Sequence, residues 1–447
     1  MPFSYNADQV AALAPDPASL KAGRGLTNPG KWPMLGLSEE ALWGECQGSG
    51  SKPYQVSIDL AGPAFKCTCP SRKFPCKHGL GLLFIAVEKR ASVPAAEPPA
   101  WVADWLSSRK DKAEKKAVAA EKKEQAPVDH EAVAKRAAKR LQRMKEGGEE
   151  LSRWLADQVR NGISSFPQQP PSYWTGVAAR MVDAQVPGLS TEMQRLEDFA
   201  HSGDGWPKRA LTQLGRMHLL CEGLSRFESL PSALQADLRS SLGWALEKDE
   251  LLATQPKVED DWLVLGQTFV ERERLWERRT WLLGAQSRRH ALVLDFSHGS
   301  RNFAVSLLTG SSSRAPLVFY PSGYPLRALW IEGAGEPRTF VPPAGYPGFT
   351  AAQESIAQGL AANPWLLSFP MVVENVTPRR TETRWTLRDA EGVECPWRQP
   401  DLEAWEISAL SGGGPLTVFG EWQYGVLHVL SCWKDGAFHS FTSSTTA

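Results

Sequence analysis

Three cysteines and a histidine fall within twelve residues of this chain, and this cluster constrains the fold more than any other feature. The residues are Cys67, Cys69, Cys76 and His78, arranged as Cys-x-Cys, six intervening residues and Cys-x-His. Three thiolates and one imidazole complete the four-coordinate shell that zinc takes in structural sites, with no position left open for a substrate. The cluster therefore predicts one structural Zn²⁺ ion and a binding or scaffolding role.

The residues around the cluster have the pattern of a hairpin followed by a helix. Residues 54–59 alternate apolar and polar side chains, 61–63 read as a turn, and 64–68 read as the returning strand. The run 79–88 is apolar on nearly every side, which predicts a helix packed against both the hairpin and a neighbour. Together these features predict a small zinc-stapled ββα finger at about residues 50–90.

The predicted backbone explains how four side chains reach one ion. Cys67 and Cys69 are two residues apart, and on a strand such residues point to the same face. Cys76 and His78 would diverge on a regular helix, so they are expected at or just before its first turn. Two alternatives remain: a reduced, metal-free cysteine cluster, and an iron–sulfur site whose usual spacings this chain does not match.

Composition limits the remaining possibilities. The chain has 447 residues, with 50 Lys and Arg against 50 Asp and Glu, so it divides into two or more domains and any charge bias is local. No signal-peptide pattern and no apolar run of about 20 residues is present, which predicts a cytoplasmic protein with reduced thiols. The scattered cysteines are expected to be small core residues; they are Cys46, Cys221, Cys395 and Cys432.

Changes in composition and in the spacing of apolar residues along the chain predict an α+β multidomain protein. An N-terminal module that contains the finger covers residues 1–90, and a charged Ala, Lys and Glu-rich linker covers 91–148. Apolar residues at helical spacing predict a helical middle region at 149–256. Short apolar runs bounded by turn residues predict a β-rich, tryptophan-containing C-terminal domain at 257–447.

At the metal cluster the chain resembles the SWIM-type zinc finger, whose pattern is Cys-x-Cys, a variable gap and Cys-x-His. The whole chain also resembles bacterial SWIM-finger proteins with a helical middle and a β-rich end. Such proteins are typically encoded near MoxR-type AAA ATPases and von Willebrand A-domain proteins. The resemblance implies a DNA-binding or protein-interaction role, and it makes a scaffold in such an ATPase assembly the alternative function.

The finger region is locally basic, which leaves its partner open between nucleic acid and protein. The candidate phosphate contacts are Lys66, Arg72, Lys73 and Lys77. Phe65 and Phe74 lie among them and would either stack on bases or form the small core of the finger. The lysines would equally offset the formal charge of about −1 on a Cys₃His zinc shell.

An enzymatic role is the remote alternative. His290, Asp295 and His298 fall close together around a predicted strand, with Ser297 or Ser300 as an imagined nucleophile of a hydrolase. Asp295 and His298 are three residues apart and would not share a strand face. The sequence contains no Gly-x-Ser-x-Gly, Walker or dinucleotide-binding motif, so we predict a non-enzymatic adaptor.

Overall fold

The computed structural model describes residues 7–446 except 16, 49, 51, 61–63, 72, 74, 112–129, 245, 273–274, 300, 302, 304, 332–334, 336, 383 and 442. The helices of this part are α1 (Ala7–Ala12), α2 (Pro17–Arg24), α3 (Lys77–Glu88), α4 (100–111), α5 (His130–Asn161), α6 (Pro171–Asp183), α7 (Pro187–Ala200), α8 (Trp206–Ser225), α9 (Ser232–Ser241), α10 (Lys248–Thr254), α11 (Phe349–Ala362) and α12 (Asp401–Ser411). The α+β multidomain prediction is confirmed.

The strands form three sheets. They are β1 (Met34–Leu37), β2 (Ala41–Cys46), β3 (Tyr54–Asp59), β4 (Ala64–Cys67), β5 (Lys257–Arg272), β6 (Leu275–Gly284), β7 (His290–His298), β8 (Ser311–Phe319), β9 (Arg327–Trp330), β10 (Arg338–Thr339), β11 (Phe369–Arg380), β12 (Trp385–Arg388), β13 (Glu394–Pro396), β14 (Leu416–Gln423), β15 (Val426–Lys434), β16 (Ala437–Ser440) and β17 (Ser443–Thr446). Within the described residues, no helix combines the length and apolar character that crossing a membrane requires.

The N-terminal module is an antiparallel meander of β1 to β4 with α3 packed on one face. The predicted hairpin corresponds to β3 and β4, and the predicted helix to α3. Helix α3 lies deep in the module because its residues from His78 to Ala86 are all buried. Gly81 permits this depth, since a Cβ there would come within 2.8 Å of the Leu26 Cβ. The finger is thus the centre of a larger core, which also contains Val10 and Trp32.

The opposite face of the same sheet is covered by α4, which begins beyond the predicted module boundary at residue 90. Val102 and Leu106 of α4 form a second small core with Ala41 and Trp43 of β2. Arg109 donates a hydrogen bond to Asp59 over 3.1 Å. Residues 100–111 therefore pack on the module although they lie within the predicted linker.

The last part of the predicted linker, up to residue 148, belongs to a helix that packs on the helical region. Helix α5 begins at His130 and places Met144, Leu151 and Leu155 in the core of the helical region. Many charged residues on α5 make this apolar stripe difficult to recognise in the sequence. The stripe continues across Gly147, where the helix packs so closely that a Cβ would come within 2.3 Å of the Ala184 Cβ. Residues 112–129 of the linker lie outside the described part of the chain.

Five strands of the β-rich domain close into a barrel. Strand β8 pairs with β9, β9 with β7, β7 with β6, β6 with β5, and β5 again with β8. Closure leaves these strands without a free edge. Alternate residues point inward and outward, so that Trp262 and Val264 lie in the barrel core while Leu263 and Leu265 face outward.

A six-stranded antiparallel sheet, in the order β13-β12-β11-β14-β15-β16, packs on the outside of the barrel. Helices α11 and α12 cover its other face. A buried ion pair crosses between the barrel and the sheet: Arg279 donates to Glu421 over 2.7 Å, and the indole of Trp281 donates to the same carboxylate over 3.0 Å. Burial raises the pKa of Glu421, but Arg279, Ser368 and Trp281 outweigh it and hold the pKa below its ordinary value.

Replacing Glu421 by Gln should lower the free energy of unfolding by about 2–4 kcal/mol near pH 7, because the Arg279 guanidinium loses its buried partner. The folded-state pKa of Glu421 is depressed, so its contribution is present above the ordinary pKa of about 4.3 and is lost as the pH falls through the folded-state value. Urea unfolding of both proteins at pH 7 and at about pH 3 would measure the difference, which should shrink at the lower pH.

The matched control is Glu259→Gln. Glu259 forms an exposed pair with Arg314, with 3.8 Å between the charged atoms. Such pairs contribute up to about 1 kcal/mol, so this change should have little effect at either pH. Equal losses in the two variants would contradict a special role for Glu421.

The helical region and the β-rich domain share buried contacts. Trp365, which follows α11, is 5% exposed and belongs to the core cluster of the helical region. Its carbonyl accepts a hydrogen bond from Arg216 over 2.9 Å. Asp237 of α9 accepts from the Asn363 amide at 2.8 Å and from the Gly323 backbone at 2.7 Å. These contacts join the two units directly.

Candidate metal centre

The hairpin and α3 bring the four predicted ligands together. Cys67 ends β4 and pairs with Val56 on β3, and Cys69 follows two residues later. Cys76 precedes α3 as its N-cap, and His78 lies in the first helical turn. The ligand atoms of the four side chains all lie within 4.8 Å of one another. This is the convergence that the spacing predicts.

Neighbouring groups hold the imidazole in place. The Nδ1 atom of His78 lies 3.8 Å from the Cys67 sulfur. The ring of Tyr54 packs on the imidazole, with 4.8 Å between ring centroids. Cys76 and His78 are buried and the other two cysteines are half-buried. The site is therefore attached to the core on one side and open to the surface on the other.

Electrostatics favour thiolate at Cys76. A hydrogen bond from Cys67 lowers the pKa of Cys76 to about 4, and His78 and the Gly79 backbone N–H act in the same direction against burial. The pKa of Cys67 is raised, first by that same hydrogen bond and then by burial, and burial also raises the pKa of Cys69. A bound divalent cation replaces the shared protons and takes three thiolates and one neutral imidazole.

The donor set fits zinc. Thiolate sulfur and imidazole nitrogen are the ligands that Zn²⁺ prefers in structural sites, and four protein ligands close its tetrahedral shell. The cluster supports one structural zinc site, as predicted. Because no coordination position remains for a substrate, the centre stabilises structure and does not supply a catalytic metal.

A fifth thiol next to the centre is a feature that spacing did not reveal. Cys46 is buried on β2, where it pairs with Tyr54 of β3. Burial raises its pKa, while Lys31 and Lys77 lower it and the charges of Cys76 and Cys69 raise it further. Cys46 is not one of the four clustered ligands, and only the strand register places it nearby. The other scattered cysteines are buried, namely Cys221, Cys395 and Cys432.

The predicted basic residues divide between two faces. Lys66 pairs with Ser57 and therefore projects from the face of β4 opposite to Cys67. Lys73 and Lys77 are exposed on the segment that carries the ligands, and Lys31, which the sequence did not indicate, lowers the pKa of the neighbouring Cys46. Arg72 lies outside the described residues.

The stacking on bases that was predicted for Phe65 and Phe74 is not supported by the structure. Phe65 is 8% exposed and belongs to the core of the module, so its ring does not offer a stacking face. Phe74 lies outside the described residues. Helix α3 is buried from His78 to Ala86, so it cannot enter a nucleic-acid groove in the way that a classical finger helix does.

The imagined hydrolase residues do not form a site. His290, Asp295 and His298 all lie on β7, with Asp295 on the face opposite to the two histidines. Asp295 accepts a 2.6 Å hydrogen bond from Arg278, with which it forms a buried ion pair. His290 and His298 are eight residues apart on one strand, a distance of about 26 Å. Ser300 lies outside the described residues.

The hairpin, helix and Cys₃His shell define a zinc finger of the structural class. A family model of the SWIM zinc finger matches residues 54–86, and a model of the SWIM-associated four-helix bundle domain matches residues 139–242. The matches confirm the predicted resemblance and support a SWIM-type zinc finger protein. The bundle match begins within α5. No curated protein and no solved structure matches the chain.

Proposed function

We propose that this protein is a non-enzymatic adaptor whose zinc finger binds nucleic acid through the phosphate backbone. The observation that carries the proposal is the exposure of Lys73 and Lys77 beside the metal centre, on a segment without carboxylates. From residue 60 to residue 87 the sequence contains no Asp or Glu. The zinc ion holds the basic segment in a fixed shape, which lowers the entropy lost on binding.

The mode of contact follows from the burial of α3. The buried positions of α3, His78 to Ala86, present no side chains to base edges. Lys73 and Lys77, of which Lys77 is the first residue of α3, are exposed and can reach phosphate oxygens. Binding of this kind is independent of base sequence and releases counterions, so it weakens steeply as salt is added. The adaptor would thus recognise the charge of the backbone and leave sequence choice to another component.

Reversing both charges, as Lys73→Glu with Lys77→Glu, should lower the affinity for duplex or single-stranded DNA by at least about tenfold at moderate salt. The plot of log affinity against log salt should also become shallower by about 2 units, one for each lost phosphate contact. Fluorescence anisotropy with labelled oligonucleotides across a salt series measures both quantities.

Two controls accompany this experiment. Lys248→Glu with Lys257→Glu makes the same charge change at exposed positions of the helical and β-rich regions and should leave binding almost unchanged. Lys66→Glu tests the opposite face of β4 and should have the smaller effect. Binding that is independent of salt, or equally weakened by the control pair, would refute the phosphate mechanism.

The absence of an enzymatic role is part of the proposal. It is supported by the closed ligand shell at the zinc centre and by the separation of His290, Asp295 and His298. A cytoplasmic location is also part of the proposal, and it is supported by the three cysteines of the metal cluster, which bind zinc as reduced thiolates.

The alternative is a scaffold in an assembly with a MoxR-type ATPase and a von Willebrand A-domain protein, without nucleic acid. It is favoured by the size of the helical bundle and the β-rich domain, which are joined by buried contacts. Nucleic-acid binding by the finger would give these two regions no role. Co-purification of such an ATPase with the tagged full chain, together with salt-independent DNA results, would support this alternative.

A further inference from the structure

Two neighbouring cavities lie where the helical region, the barrel and the six-stranded sheet meet. One, of about 490 Å³, is lined by residues from α9, the start of β5 and the end of β8; the other, of about 420 Å³, lies between the barrel and β11. Arg289 and Pro325 line both cavities. Each volume falls in the range of small-molecule sites, which commonly lie at domain interfaces.

The charges that line these cavities are all of one sign. The charged side chains are Arg288 and Arg289, and no Asp or Glu is among the described lining residues. Burial lowers the pKa of His290 to about 4, so its imidazole is neutral near pH 7. The full sequence carries equal numbers of acidic and basic residues, so this bias is local. A cleft lined by positive groups raises the local concentration of anions.

Arg289 is arranged to bind an oxyanion. Its guanidinium lies on the face of Phe319, 3.8 Å from the ring centroid. Among the described residues no side-chain hydrogen bond or ion pair holds it, and burial lowers its pKa. Stacking occupies the planar face of a guanidinium and leaves its edge, with paired N–H donors, for carboxylate or phosphate oxygens.

The turn that carries Arg289 is fixed by hydrogen bonds to a neighbouring carboxylate. Asp260 on β5 accepts hydrogen bonds from the backbone N–H groups of Gln286 at 3.1 Å and Ser287 at 2.8 Å. Arg288 donates to the Ala344 carbonyl across the second cavity. The two arginines are therefore held at the cleft by groups that do not neutralise them, which is the preorganisation that a binding site requires.

The remaining lining offers planar apolar surface and one orphaned polar atom. Tyr320 lines the first cavity, and Tyr324 and Tyr346 line the second; Phe319 is buried and one face of its ring is occupied by Arg289. The Nε2 atom of His290 is buried without a hydrogen-bond partner among the described residues. Buried polar atoms in native proteins are normally paired, so this nitrogen is free to accept or donate a hydrogen bond to a ligand group or to water in the cavity.

We propose that this cleft binds a small organic anion, in which a carboxylate or phosphate group meets Arg289 and a planar ring lies against the aromatic lining. The site is separate from the zinc centre. It would make the β-rich domain a ligand-responsive part of the adaptor, and it stands or falls independently of nucleic-acid binding.

Titration of the full-length zinc-bound protein with four probes tests the proposal by calorimetry and thermal shift. Benzoate and phenyl phosphate combine a ring with an anion, inorganic phosphate lacks the ring, and benzyl alcohol lacks the anion. At least one ring-bearing anion should bind at least about tenfold more tightly than inorganic phosphate and benzyl alcohol. The preferred anion distinguishes a carboxylate ligand from a phosphate ligand.

Arg289→Gln should reduce the affinity for that probe by at least about tenfold. The affinity of Arg289→Lys should lie between those of Arg289→Gln and the wild type. Without ligand, Arg289→Gln should melt at or above the wild-type temperature, because a desolvated cation is removed. Arg380→Gln removes another ring-stacked arginine, over Trp405, that lines neither cavity, and it should bind normally.

Two results would overturn the proposal. One is the failure of every ring-bearing anion to bind the wild type more tightly than inorganic phosphate does. The other is equal binding by wild type and Arg289→Lys together with a large loss of thermal stability in Arg289→Gln, which would make Arg289 a structural support of Phe319.

Discussion

Replacing Cys69 or His78 by alanine is expected to remove zinc from the protein and to unfold the whole N-terminal module. Structural zinc contributes on the order of 10 kcal/mol in small fingers, which is comparable with the entire stability of a typical domain. Helix α3 supplies the centre of the core that also holds Val10 and Trp32, so its loss spreads beyond residues 50–90. Elemental analysis and limited proteolysis measure the two effects.

The control for this experiment is Cys46→Ala. Cys46 is a buried cysteine beside the same centre, but it does not belong to the ligand cluster. This variant should keep about one zinc per chain and lose only about 1 kcal/mol of stability. Loss of zinc in Cys46→Ala, or unchanged protease resistance of the N-terminal module in Cys69→Ala, would contradict the assigned ligand set. The bundle and the β-rich domain should stay resistant in every variant.

Replacing Trp365 by alanine should lower the free energy of unfolding by about 3–5 kcal/mol, the range for a large aromatic residue removed from a core. Trp365 fills the space above Gly223, where a Cβ would come within 2.6 Å of the indole. Because this side chain anchors the β-rich domain in the helical core, the two units should then unfold in separate transitions. Differential scanning calorimetry would show one transition dividing into two.

Trp405→Ala is the matched control for the indole at position 365. Trp405 lies on α12 and is 51% exposed, so its removal leaves no cavity in a core. We expect a loss of less than about 1.5 kcal/mol, from its edge-to-face contact with Trp385, and a single unchanged transition pattern. Similar calorimetric traces for the two variants would show that Trp365 does not join the units.

The sequence was sufficient for the finger because its information is local. Cys67 to His78 are close along the chain, and coordination chemistry allows few arrangements of three thiols and an imidazole at that spacing. The strands and helix that carry them follow from period-2 and continuous apolar patterns over short windows. All of this needs no knowledge of contacts between distant residues.

What the sequence did not reveal depends on register and on distant pairing. Lys66 lies on the opposite face of β4 from Cys67 because successive side chains on a strand point to opposite faces. The predicted basic residues therefore do not all lie on the face that carries the metal ligands. Cys46 approaches the centre only through the pairing of β2 with β3, which places it opposite Tyr54. Barrel closure likewise depends on the pairing of β5 with β8, some 50 residues apart, as in Trp262 with Ser313.

The burial of α3 from His78 to Ala86 has a consequence for how such proteins diversify. The helix and the four ligands tolerate little change, since every position from His78 to Ala86 is enclosed by the core. The segment between Cys69 and Cys76 is bounded by ligands at both ends, and most of its described residues are exposed. Its exposed positions, Pro70, Ser71 and Lys73, are therefore freer to vary without altering the fold, and selection for a new partner would act on them first.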